Sequence, residues 1–171
     1  MVGVCYNKKD YAGLFRRLIA LIIDSIFIIV LSILVVRILN SLSSSFPGIN
    51  NFSYLWVIFV ILYFTIIKSS KIRTLGFWIT GIRIVDLSGQ RPSHFKILLR
   101  FFSQILAPFQ FTYDIALLVE DENKQSFRDK FAGTYIIRKN AKPLYENKIV
   151  ANYYFVHGFA FVFNEVLRKD L

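Results

Sequence analysis

Apolar residues fall into three long blocks along the chain, separated by polar segments. Between Leu18 and Val36 lie 19 residues, all apolar except Asp24, Ser25 and Ser32. This stretch exceeds the ~7–15 apolar residues of a secretory signal, and no small-x-small cleavage site directly follows Val36. It predicts a retained transmembrane helix. Residues 40–53, NSLSSSFPGINNFS, carry no charge and read as a loop. The second block, YLWVIFVILYFTII, runs from Tyr54 to Ile67 and is short of the ~20 residues a span needs. Extending it back to Ile49 admits two asparagines near the interface and predicts a second span, with Tyr54, Trp56 and Tyr63 suited to interfacial belts.

The third block, Ile97 to Val119, is long enough to cross a bilayer but contains Arg100, Gln104, Pro108, Gln110 and Asp114. Pro108 removes a backbone donor and kinks or breaks a helix. Both flanks of the block are basic, so a single straight crossing would put one on the wrong side. A kinked, partly re-entrant hairpin or an interfacial helix fits the charges, with a third full span as the alternative. Two segments, from Gly81 (GIRIVDLSGQRP) and from Gly133 (GTYIIRK), read as short strands able to pair only on one side of the membrane. The expected fold is therefore an α-helical integral membrane protein. It has two transmembrane helices, a kinked third apolar segment and two short cytoplasmic strands.

Length and composition narrow this picture. One domain is the default for 171 residues. The chain is 55% hydrophobic and 19% charged, against ~45–50% and ~25% for soluble domains. Its net charge is +10, and the location of the positive charges is the informative part. Lys8, Lys9, Arg16 and Arg17, then 68–96, then 124–148 are basic, while 40–53 is neutral. The basic segments are expected in the cytoplasm, against anionic lipid rather than nucleic acid. Cys5 is the one cysteine, so no internal disulfide can form.

Two charged residues share a face of the first helix. Arg17 and Asp24 differ by ~20° around the axis and ~10 Å along it. Arg17 can snorkel to the headgroups, whereas an ionised Asp24 at that depth costs at least ~2.5–3.5 kcal/mol. Arg100, or Arg17 through a water, is a candidate partner, and Asp114 raises the same question in the third block. Asp24 is either a polar clasp between helix 1 and the third block or a cation or proton site on a transport path.

FRRLIALIID, with Arg17 and Asp24, resembles the first helix of the RDD family of membrane proteins, named for one arginine and two aspartates. RDKFAGTYIIR, from Arg128, is similar to that family's closing motif, with Asp129 matching the second aspartate. TLGFWITGIRIVDLSGQRPS, from Thr74, is similar to its central segment, with Leu75 where the family usually has Pro and Phe77 where it usually has Lys. The resemblance covers roughly residues 11–139. It implies either cation/proton-coupled transport or a non-catalytic accessory or assembly subunit of a larger membrane complex. The expected location is the bacterial cytoplasmic (inner) membrane. An intramembrane network of Arg17, Asp24, Arg100, Asp114 and Asp129 is expected, with Asp129 reaching it from the cytoplasmic interface.

No P-loop, dinucleotide fingerprint or nucleophile elbow appears, and His94 and His157 have no metal-ligand spacing, so no enzyme, cofactor or metal is expected. Glu120, Asp121 and Glu122 read as a solvated turn. The extension 140–171, beyond a membrane domain of 1–139, holds Tyr153, Tyr154, Phe155, Phe159, Phe161 and Phe163. Such an aromatic strip marks a lipid contact, or a contact with a partner subunit or second copy.

Overall fold

The computed structural model describes residues 2–43, 52–106, 114, 115, 117–119, 121–156 and 159–167. It is about half helix and 23% antiparallel strand in two sheets. Among the described residues one helix is long and apolar enough to cross a membrane, Leu14–Ser41, and most of it is not buried by the rest of the chain. The expected helical membrane protein with two transmembrane helices and a kinked third is thus corrected. The second apolar helix, Tyr54–Ile67, would be ~21 Å long at 1.5 Å per residue, against a hydrocarbon core of ~30 Å. Residues 49–51, part of the expected extension back to Ile49, lie outside the described residues, as do Pro108 and Gln110 of the third block.

The helices are α1 (Leu14–Ser43), α2 (Phe52–Leu62), α3 (Leu75–Ile79), α4 (His94–Leu106) and α5 (Phe127–Phe131), and α2 continues as a π-helical turn over Tyr63–Ile67. The strands are β1 (Val2–Cys5), β2 (Ile82–Asp86), β3 (Thr134–Arg138), β4 (Tyr145–Val156) and β5 (Phe159–Val166). β1, β4 and β5 form one antiparallel sheet in the order β1-β4-β5, and β2 and β3 form the other. The two segments read as strands from Gly81 and Gly133 are that pair, in register from Ile82↔Arg138 to Asp86↔Thr134.

β2 and β3 are built alike. Each follows a five-residue helix, one capping residue and a glycine with positive φ, Gly81 at 64° and Gly133 at 60°. A left-handed residue at that place ends a helix, and glycine occupies it without a Cβ clash. The strands then alternate between two faces. Val85, Leu87, Tyr135 and Ile137 pack with Val4, Tyr6, Tyr11 and Val166 of the three-stranded side. Ile82, Ile84 and Ile136 pack with Ala20 of α1 and Phe77 of α3. The two-stranded sheet is therefore the middle layer, between the helices and the larger sheet.

The amino-terminal segment is less solvated than its lysines suggest. Val4 donates its amide to the Leu87 carbonyl at 2.7 Å and Leu144 donates to Cys5 at 2.8 Å. Cys5 is buried, its thiol 4.0 Å from the Leu167 carbonyl.

Candidate functional site

Arg17 leaves the first turn of α1 pointing inward. Its Nη1 donates to Asp129 Oδ2 at 2.5 Å, its Nη2 to the Lys124 carbonyl at 2.5 Å and its Nε to the Ala12 carbonyl at 2.8 Å. The other carboxylate oxygen of Asp129 lies 2.5 Å from Arg100 Nη1, which also donates to Thr134 Oγ1 at 2.5 Å. Asp129 is fully buried. Burial pushes its carboxyl up, but Arg100 and Arg17 outweigh that and hold it well below the usual carboxylate range. The Ser126 amide, at the start of α5, adds a 3.3 Å bond to Oδ2. Lys124 presents its carbonyl from a left-handed conformation, φ 48°, uncommon for a residue with a Cβ. Asp121 shapes that turn by accepting from the Asn123 and Gln125 amides at 3.0 and 2.9 Å.

Asp24 lies apart from this triad. It is fully buried. Oδ1 accepts from the Tyr63 hydroxyl at 3.0 Å and the Gly76 amide at 2.7 Å, and Oδ2 accepts from the Thr74 hydroxyl at 2.7 Å. Tyr63 Oη in turn accepts from the Leu75 amide at 3.0 Å. Three neutral donors from the π-turn and the start of α3 thus hold a carboxylate of α1. Gly76 makes the fit possible: a Cβ there would lie 2.0 Å from the Ala20 carbonyl oxygen. Further along α1, Ser32 accepts from Trp56 Nε1 at 3.2 Å, and Phe27 stacks on Tyr63.

Of the expected site residues, Arg17, Arg100 and Asp129 meet directly. Asp114 sits beside them, 3.1 Å from Arg128 Nε, and burial pushes its carboxyl up against the pull of Arg128. A continuous helix would separate Arg100 from Asp114 by ~21 Å. Instead they pair with the adjacent residues Asp129 and Arg128. Arg100 and Asp114 thus both bind side chains of α5.

Two clusters escaped the sequence reading. Lys68, counted there only as one basic charge, sets its ammonium 4.8 Å from the Phe77 ring centre and 5.6 Å from that of Phe64. A cation thus stands over the ring of Phe77. Burial pushes the Lys68 ammonium down to about 8, with Arg128 adding to the shift. Lys130, almost wholly buried, bonds Asp121 at 2.6 Å, Tyr154 at 3.1 Å and Glu165 more closely still. Asp121 is accordingly no solvated acid. Burial opposes charge on Lys130, but Asp121 and Glu165 outweigh it and raise the ammonium.

The tail is tied to this cluster. Phe161 and Phe163 of β5 meet the Phe127 ring edge to face at 5.3 and 5.5 Å, and Tyr154 donates to Glu165 at 2.8 Å. Tyr153 is 69% exposed. The side chains of Phe155 and Phe159 lie outside the described residues. No group of three or more His, Cys, Asp or Glu side chains is gathered as a metal site among the described residues.

Residues 11–133 match the RDD family. The chain belongs to the RDD family. The match takes in Arg17, Asp24 and Asp129, and ends just before β3. No curated protein and no solved structure matches the chain. RDD membership and the apolar helix α1 together mark a membrane-associated protein.

Proposed function

We propose that this RDD protein is a non-enzymatic accessory or assembly subunit held in the bacterial cytoplasmic membrane by α1. In this reading its arginines and aspartates lock the helices onto the sheet layer. The observation that supports it is the engagement of the family's charged set inside the chain. Arg17 spends three donors on Ala12, Lys124 and Asp129, and Asp24 accepts three bonds from neutral donors. A carrier site needs groups that exchange partners, whereas these bridge elements far apart in sequence.

The second reading is proton-coupled cation exchange through Asp24. It is favoured by the Tyr63 hydroxyl, shared between Asp24 and the Leu75 amide, with the Lys68 charge acting on the same carboxylate. Purified protein in liposomes distinguishes the two. The accessory reading expects no exchange of Na⁺ or K⁺ for H⁺, and a stoichiometric complex with another chain when the protein is extracted from its native membrane in lipid nanodiscs. Exchange abolished by Asp24→Asn in folded protein would establish the carrier.

A further inference from the structure

Helix α4 is amphipathic in the reverse of the usual sense. In a water-soluble protein the apolar stripe of a helix faces the core and the charged stripe faces out. Here Phe95, Leu98 and Phe102 lie on one arc of α4 and are 69%, 47% and 53% exposed. The opposite arc carries Ile97, Ser103 and Arg100, and Arg100 is turned inward to Asp129 and Thr134.

The same reversal runs through the neighbouring helices. α1 turns Ala20 and Asp24 inward and Ile19, Ile22, Ile26 and Ile29 outward. α2 and the π-turn leave Ile58, Leu62 and Ile66 exposed, and α4 packs directly on that π-turn. The outward face of α4 therefore continues the apolar surface of the π-turn.

We propose that the outward face of α4 is a lipid contact, with Phe95, Leu98 and Phe102 against acyl chains. The occupant is lipid because Phe95, Leu98 and Phe102 form an apolar arc beside the π-turn, where Leu62 and Ile66 also face outward. The proposal rests on membrane association through α1.

Spin labels test it, one at a time, on exposed sites that leave the ion triad untouched: Leu98→Cys, Phe102→Cys, Ile26→Cys on α1 and Lys139→Cys as the aqueous reference. Buried Cys5 is retained, and unsubstituted protein gives the background. In liposomes, labels at 98 and 102 should collide with oxygen more than with a water-soluble nickel chelate, like the label at 26 and unlike that at 139. Chelate access at 98 and 102 equal to that at 139, with 26 still protected, overturns the proposal and leaves membrane association standing. Spin–spin broadening at 98 or 102 overturns it in favour of a second copy on this face. Chelate access at 26 as well removes the membrane reading, and the proposal with it. A variant that misfolds is replaced by Phe102→Trp in Trp56→Phe, Trp78→Phe protein, read by quenching with brominated lipid. Quenching by bromine on the acyl chains is expected there. Quenching by aqueous iodide alone contradicts the proposal.

Discussion

Arg17 and Asp129 are 112 residues apart in sequence and joined at 2.5 Å between Nη1 and Oδ2. The pair ties the first turn of α1 to α5, and Arg100 brings α4 to the same carboxylate. A buried pair of this kind is weak ground for claiming net stability, because desolvation offsets much of the Coulomb gain. Its loss is another matter. Asp129→Asn leaves two buried guanidinium groups without a counter-charge and should cost about 3–5 kcal/mol. Denaturant titration of detergent-solubilised protein measures it. An effect below about 1 kcal/mol would mean that water already neutralises the site.

The pH dependence has a definite sign. The folded Asp129 carboxyl titrates below its unfolded value, which is ~3.9. Its contribution is therefore complete above that value and lost as pH falls through and below it. Unfolding followed between pH 7 and pH 3 should show this loss only at the acid end, and Asp129→Asn should flatten it.

Gly76→Ala should be more damaging than a helix-favouring change elsewhere in the chain. Its Cβ would meet the Ala20 carbonyl oxygen at 2.0 Å, so α3 must move off α1 and the Gly76 and Thr74 bonds to Asp24 must lengthen. Each buried donor left unsatisfied costs about 1–3 kcal/mol. Asp24→Ala, which orphans the same donors from the other side, should produce a loss of similar size. If Gly76→Ala melts with the wild type in a thermal scan, the close approach is not a constraint.

These constraints were only partly legible in the sequence. Arg17 and Arg100 could be named because charges in apolar blocks must find partners, and Asp129 from the resemblance of RDKFAGTYIIR to the RDD closing motif, but spacing along one helix could not show that Asp24 meets Tyr63, Thr74 and Gly76 instead of an arginine. β2 and β3 were readable from β-branched residues after a glycine. β1 was not: Val2–Cys5 is four residues long and precedes a run of lysines. β4 and β5 were hidden by their aromatics, which suit a membrane interface equally well. The alternation of Phe161 and Phe163 with Val162 and Asn164 was the available signal for a strand.

Lys130 makes the tail part of the fold. Its ammonium joins α5 to Asp121 and to Glu165 of β5. Lys130→Met should leave two largely buried carboxylates repelling each other and loosen β4 and β5. Hydrogen exchange of amides 145–166 should speed at least tenfold, while β2 and β3 stay protected. Uniform protection in the variant would show that the Phe127 ring contacts hold the hairpin alone.

Lys68 should titrate near pH 8 in the folded protein, its charge disfavoured by burial. The unfolded chain, with a lysine pKa of ~10.4, then binds more protons between these values, so stability rises across that window. Reductive ¹³C-methylation with NMR titration reads the lysine directly. An ordinary lysine midpoint would place its ammonium in water.

The most direct test of the architectural account is a double-mutant cycle between Arg17→Met and Asp129→Leu, read by denaturant unfolding in nanodiscs. Distant, independent sites add within about 0.3–0.5 kcal/mol, and contacting ones couple by about 0.5–3 kcal/mol. The account predicts coupling above about 1 kcal/mol, with the double variant more stable than the sum of the single losses. Simple additivity would contradict it, because α1 and α5 would then not be locked through this pair.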